Sequence, residues 1–260
     1  GATRSCVRDL AEICEIVMPG ATFFELLTAH PMARRRCFAK LPQTENPVVL
    51  VDHIGVLLQH EMKTHKPAGL PSQHRLAFRF QFNTNLLDDN YEPPAEAATA
   101  IAEQEILSNS EAERFVDLAE QASGLFPDLL KGTSAEQHAA HRDAERIIAD
   151  PMRVRSFYSG LESPDLDQPF PLIETSPENW AFVRWLQVKM LFTTRLFVNY
   201  RGRLRGQLSP NVRRRLEHDV QDAQILALGV LQGALATNET KLRDWFRLLV
   251  PNGRLYPNDA

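Results

Sequence analysis

Two acidic residues near the C-terminal end of this 260-residue chain each stand beside an apolar element. Asp222 opens an apolar run over residues 223–227, and Glu239 follows residues 234–237, which have the composition of a short strand. Asp219 lies one helical turn before Asp222, so the two side chains would share a helix face. Carboxylates grouped in this way are typical ligands of Mg²⁺ or Mn²⁺, ions that activate water for phosphodiester hydrolysis.

A cluster of arginines immediately precedes these acids. Its members are Arg201, Arg203, Arg205, Arg213, Arg214 and Arg215. Guanidinium groups bind phosphates well, so the cluster predicts contact with the backbone of single-stranded RNA. The alternative is that these arginines face solvent or form salt bridges with the acidic middle helices.

Both ends of the chain have the pattern of α/β structure. At the N-terminal end, apolar spacing predicts a helix over residues 5–16, a short strand at 16–18 and a helix over 23–29 capped by Thr22. Residues 48–62 combine a strand-like start with a helical stripe, and the stripe favours a helix.

The C-terminal end repeats this alternation of helix and strand. Ser209 as N-cap and Pro210 as first helical residue predict a helix that ends near Gln232. A strand at 234–237 and a helix at 239–250 follow.

The middle of the chain is predicted to be helical, with helices over residues 95–106, 111–125, 134–150 and 176–200. We therefore predict an α/β domain made of residues 1–81 and 207–260. An all-helical insertion of residues 82–206 interrupts it.

Three segments together resemble a PIN (PilT N-terminus) domain. They are Asp222-Ala223-Gln224-Ile225-Leu226-Ala227, Gly233-Ala234-Leu235-Ala236-Thr237-Asn238-Glu239, and Val17-Met18-Pro19-Gly20-Ala21-Thr22-Phe23-Phe24-Glu25-Leu26-Leu27. The resemblance implies a three-layer α/β/α sandwich with a parallel central sheet. It also implies a metal-dependent endoribonuclease.

The resemblance assigns Glu25, Asp222 and Glu239 as the acids that hold Mg²⁺ or Mn²⁺, and Asp219 becomes an auxiliary ligand. The leading Asp of the family's first strand would lie before Ser5. Leu50-Val51-Asp52 offers another strand that ends in an acid, but it follows Glu25 and so has the wrong order for this family.

Each of these acids also has an ordinary structural interpretation. Glu25 would then face solvent, and Glu239 would be an N-terminal acid favoured by a helix dipole. Asp219 and Asp222 would be unremarkable acids near the middle of a helix.

The resemblance further implies a biological setting. Single-stranded RNA is the expected substrate, and many family members are toxins or defence effectors that a partner protein keeps inactive. Two alternatives remain open at this stage: a catalytically inactive PIN-like scaffold, and a helical interaction protein that binds protein or nucleic acid.

Composition limits the remaining possibilities. The net charge of −4 gives no overall attraction to nucleic acid or anionic membranes, so RNA binding would need a local patch. No apolar run reaches membrane-spanning length, and Cys6, Cys14 and Cys37 lack metal or disulfide spacing. We therefore expect a cytoplasmic protein without a membrane contact, and the sequence leaves open whether it forms a homo-oligomer.

Overall fold

The computed structural model describes residues 3–44, 47–76, 84–92, 95–159 and 171–257, and these residues are mostly helical. Within these ranges the helices are α1 (Arg4–Ile13), α2 (Gly20–Thr28), α3 (Pro31–Phe38), α4 (Ile54–Thr64), α5 (Ala95–Leu125), α6 (Ser134–Ala149), α7 (Pro151–Ser159), α8 (Ala181–Asn199), α9 (Pro210–Gln232) and α10 (Thr240–Leu249). The strands are β1 (Val17–Pro19), β2 (Val49–Val51), β3 (Ala234–Ala236) and β4 (Arg254–Tyr256).

The strands form two parallel pairs. β1 pairs with β2 so that Val17 lies opposite Val49, and β3 pairs with β4 so that Ala234 lies opposite Arg254. Helical connections make this possible, because parallel neighbours cannot be joined by a tight hairpin. Across the described ranges the two pairs are separate two-stranded sheets. The structure therefore shows helices with short parallel strands, which is compatible with the predicted α/β class.

Two hydrophobic cores hold the elements together. The larger core joins α4 to the helices from α5 to α10, with Phe115, Leu191, Leu226 and Phe246 fully or almost fully buried. The smaller core lies around Phe23, under α2, α3 and β2. The helices of the predicted insertion thus share one core with α4, α9 and α10.

The predicted boundaries of α9 are confirmed. The Ser209 hydroxyl accepts the Val212 N–H at 3.4 Å, and Pro210 is the first helical residue. Gly233 ends the helix with φ 71°, a left-handed conformation that favours glycine. The sequence carries every one of these signals locally.

Other boundaries differ from the predictions because neighbouring elements decide them. Residues 49–51 form a strand and not a helix, since their backbone pairs with β1. Thr22 lies inside α2, whose N-cap is Pro19. Gly20, the first residue of α2, packs closely against Leu76, since an added Cβ would lie 2.7 Å from Leu76 Cδ1. The separate helices predicted before and after residue 110 are one continuous helix, α5.

Two further features concern membrane-spanning helices and the cysteines. None of the helices in the described ranges combines the length and the apolar character needed to cross a membrane. Cys6, Cys14 and Cys37 are free thiols.

Candidate functional site

Asp219 and Asp222 on α9 meet a lysine from α10. The Lys241 ammonium donates to Asp219 Oδ1 at 3.0 Å and to Asp222 Oδ2 at 2.9 Å. All three side chains are largely buried: Lys241 is 17% exposed, Asp222 21% and Asp219 27%. The two carboxylates therefore point to one place between α9 and α10, and a cation already lies there.

Glu239 is the third acid of this group. It is the N-cap of α10, although its side chain makes no capping hydrogen bond to that helix. Glu239 is exposed, but partial desolvation and the charge of Asp222 raise its pKa, while the Lys241 ammonium opposes the shift. Because like charges in proximity cause part of this shift, Asp222 and Glu239 belong to one electrostatic site. We call Asp219, Asp222 and Glu239 the acid cluster.

Lys241 is held in an unusual position for a cation. It is the second residue of α10, where the helix dipole disfavours positive charge. Its ammonium also lies 4.6 Å from the ring centre of Phe192, a residue that is 1% exposed. Burial lowers its pKa, but the Asp222 and Asp219 carboxylates outweigh burial and the net shift is upward. The ammonium is therefore the charged partner that stabilises the acid cluster.

Glu25 is not brought into the acid cluster. It lies on the exposed side of α2, which corresponds to the solvent-facing alternative. In the ranges that the structure describes, no three His, Cys, Asp or Glu side chains are arranged to hold a metal ion as they stand. Asp219, Asp222 and Glu239 thus interact with one another or with Lys241, whereas Glu25 is an exposed residue of another helix.

The chemistry of the acid cluster nevertheless fits a divalent cation. Its donors are carboxylate oxygens, which Mg²⁺ and Mn²⁺ prefer over imidazole or thiolate. Three carboxyl groups face one ammonium, and the charges of Asp222 and Asp219 add to desolvation in raising the pKa of Glu239. Asp219, Asp222 and Glu239 are therefore the residues that would hold the ion.

Two arginines of the predicted RNA-binding cluster are paired with acids of α5. Arg205 binds Asp117 and, at 3.2 Å, Glu120, while Arg213 binds Glu113 at 2.9 Å. These are the salt bridges to the middle helices that the sequence offered as an alternative. The pairs are exposed, so each contributes little to stability.

The other four arginines are exposed, and among the described residues no ion pair joins them to an acid. They are Arg201, Arg203, Arg214 and Arg215. Arg215 lies four residues before Asp219 and seven before Asp222, so the three share one face of α9. At about 1.5 Å of rise per residue, Arg215 is about 6 Å along the helix from Asp219. Of the arginines on α9, Arg215 lies nearest along the helix to the two aspartates.

A second group of titratable side chains lies at the carboxyl end of β2. Asp52 follows that strand, and burial raises its pKa although His53 and His74 oppose the shift. The His74 ring is fixed by a 2.8 Å hydrogen bond between its Nε2 and the Ala68 carbonyl. The His53 Nδ1 accepts the Gly55 N–H at 3.1 Å and caps α4. The contacts of both histidines are structural.

Sequence reasoning missed Lys241 and Phe192. Lys241 follows Glu239 by two residues, but nothing in its neighbourhood distinguishes it from a surface lysine. Phe192 belongs to α8, in the middle of the predicted insertion, and only packing brings it below the ammonium. Both residues become part of the site through contacts between distant segments.

The chain was compared with models of protein families, with curated proteins and with solved structures. None of the three comparisons found a match. The resemblance to PIN domains accordingly rests on the quoted segments of the sequence.

Proposed function

We propose that this protein is a PIN-like, metal-dependent ribonuclease whose centre is the acid cluster. One observation carries the proposal: the carboxyl groups of Asp222 and Glu239, from different elements, both lie near the Lys241 ammonium, which donates to Asp222 at 2.9 Å and acts electrostatically on Glu239. The sequence resemblance assigns the same two residues as metal ligands. Asp219 adds a third carboxylate from the same face of α9.

In this proposal the acidic residues bind the divalent cation and the arginines bind the RNA substrate. A bound Mg²⁺ or Mn²⁺ neutralises phosphate charge and supplies hydroxide from water. Asp219, Asp222 and Glu239 would hold it through carboxylate oxygens. Arg215 binds a phosphate of single-stranded RNA on the same helix face, and the other unpaired arginines extend that contact along the strand.

The proposal extends to the fold. A PIN-like sandwich has one parallel central sheet. The β1–β2 and β3–β4 pairs have the parallel direction that such a sheet needs, although they form two separate sheets in the described ranges. The acid cluster lies just beyond the carboxyl end of β3, the usual place of a site in such a sheet. A role as a toxin or defence effector restrained by a protein partner follows from the family resemblance alone.

Cleavage of a fluorogenic single-stranded RNA in Mn²⁺, compared with the same reaction in EDTA, tests the proposal. Asp222→Asn removes a ligand charge with little change in shape, and we expect at least about a 100-fold loss of Mn²⁺-dependent cleavage. Asp244→Asn is the matched control, because Asp244 is an exposed acid of α10 paired only with Arg247 in the described ion pairs. Equal cleavage by the wild type and Asp222→Asn would contradict the assignment.

A catalytically inactive scaffold is the second candidate. The placement of Glu25 outside the acid cluster favours it, as does the ammonium between the two aspartates. Under this alternative the exposed arginines bind RNA in a salt-dependent way without cutting it. RNA binding by fluorescence anisotropy without Mn²⁺-dependent cleavage would establish the scaffold over the nuclease.

A further inference from the structure

Lys241 occupies the point at which the carboxylates of Asp219 and Asp222 converge. Its ammonium is 3.0 Å from one and 2.9 Å from the other, with the face of Phe192 below it. A divalent ion that used both carboxylates would need the same volume, since its bonds to oxygen are only about 2.0–2.6 Å long. The ammonium and the ion therefore compete for one position.

We infer that Lys241 is an internal cation that takes the place of the divalent ion and must withdraw before the ion binds. This inference rests on the proposed function, because it assigns the same acid cluster as the cation site. Lys241 would then set the metal affinity of the protein.

The structure makes such a withdrawal feasible. Lysine carries its charge on a flexible four-carbon stem, and the Lys241 side chain retains 17% of its exposure as a route to solvent. Its position in the first turn of α10 is opposed by the helix dipole, so the two carboxylates, together with the Phe192 ring, hold it there. Once a divalent ion neutralises those carboxylates, that attraction is gone.

Replacing Lys241 tests the inference with a readout independent of RNA cleavage. Only molecules in which the ammonium is withdrawn can bind Mn²⁺. If they are fewer than about one in ten, a variant without the ammonium should have at least about tenfold higher apparent affinity for Mn²⁺. We expect this gain in Lys241→Met, measured from the free Mn²⁺ signal in electron paramagnetic resonance. The melting temperature of the variant in EDTA should fall, and Mn²⁺ should restore it more than it raises that of the wild type.

Lys189→Met is the matched control. The Lys189 side chain is 19% exposed, which is close to the value for Lys241. It forms an ion pair with Glu111 at 3.3 Å, and its ammonium lies 5.3 Å from the ring centre of Trp185. Among the described residues its ion-pair partner is Glu111 alone, so its replacement should destabilise the protein without raising Mn²⁺ affinity. Lys241→Gln, which keeps a polar side chain, provides the measurement if Lys241→Met does not fold in EDTA.

The outcomes separate this inference from the proposed function. Tighter Mn²⁺ binding in the Lys241 variants, lost again when Asp222→Asn is added, supports the inference even where RNA is not cleaved. Unchanged or weaker Mn²⁺ binding in the Lys241 variants overturns it. Mn²⁺-dependent cleavage that is sensitive to Asp222→Asn would leave the nuclease proposal standing in that case.

Discussion

Glu61 is a fully buried carboxylate that joins three segments of the main core. Its Oε1 accepts the N–H groups of Ala68 at 3.0 Å and Ala181 at 2.7 Å, and its Oε2 accepts the N–H of Phe182 at 3.0 Å. Ala181 and Phe182 are the first two residues of α8, and the N-cap Trp180 offers no side-chain hydrogen bond. Glu61 of α4 therefore acts as the cap of α8 from a distant part of the chain.

The geometry gives different costs for two substitutions. In Glu61→Gln the amide oxygen can keep both N–H groups that now bind Oε1, but the amide nitrogen would face the Phe182 N–H. Loss of that charge-assisted bond corresponds to about 1.5–3 kcal/mol. Glu61→Ala leaves three donors without a partner, and relief of the buried charge offsets part of the loss, so we expect about 4 kcal/mol.

Urea unfolding followed by tryptophan fluorescence and circular dichroism measures both changes. Gln59→Ala on the exposed side of α4 is the control and should change the free energy of unfolding by less than about 0.5 kcal/mol. Equal stability of the wild type and Glu61→Gln, at unchanged m-value, would refute the capping role. So would equal losses in Glu61→Gln and Glu61→Ala.

Two further predictions concern the acid cluster and the core. The folded pKa of Glu239 is raised above the ordinary value of 4.5 by burial and by Asp222, so its contribution to stability is present below pH 4.5 and is lost as the pH rises through the folded pKa. Glu239→Gln should therefore have a higher melting temperature than the wild type at neutral pH, and this difference should disappear at lower pH. Thermal melts of both proteins over a series of pH values measure the difference. Gln187 is fully buried, donates to the last two carbonyls of α6 at 2.8 and 2.9 Å, and accepts from Arg184 at 3.0 Å. Gln187→Leu should destabilise the protein by about 2–4 kcal/mol in urea unfolding, and a change below about 1 kcal/mol would show that the carbonyls find other partners.

The contrast between residues 209–233 and 48–62 shows which parts of the fold the sequence could predict. Ser209, Pro210 and Gly233 act through bonds and backbone angles within a few residues of each other, so the limits of α9 followed from local chemistry. The segment after Val48 carries strand and helix signals together, and only pairing with β1 selects the strand. The continuous α5 and the start of α2 at Gly20 also differ from the limits that the local pattern predicted.

The candidate site divides in the same way. The sequence by itself determined the types and order of the acids, and Asp219 and Asp222 share a helix face because helical periodicity requires it. Only the tertiary structure decided that Glu239 interacts with Asp222, that the Glu25 side chain is exposed, and that Lys241 lies between the aspartates. Charged side chains on different elements come into contact only when packing of the core fixes the positions of those elements. The distance between such side chains cannot be predicted from a local sequence pattern.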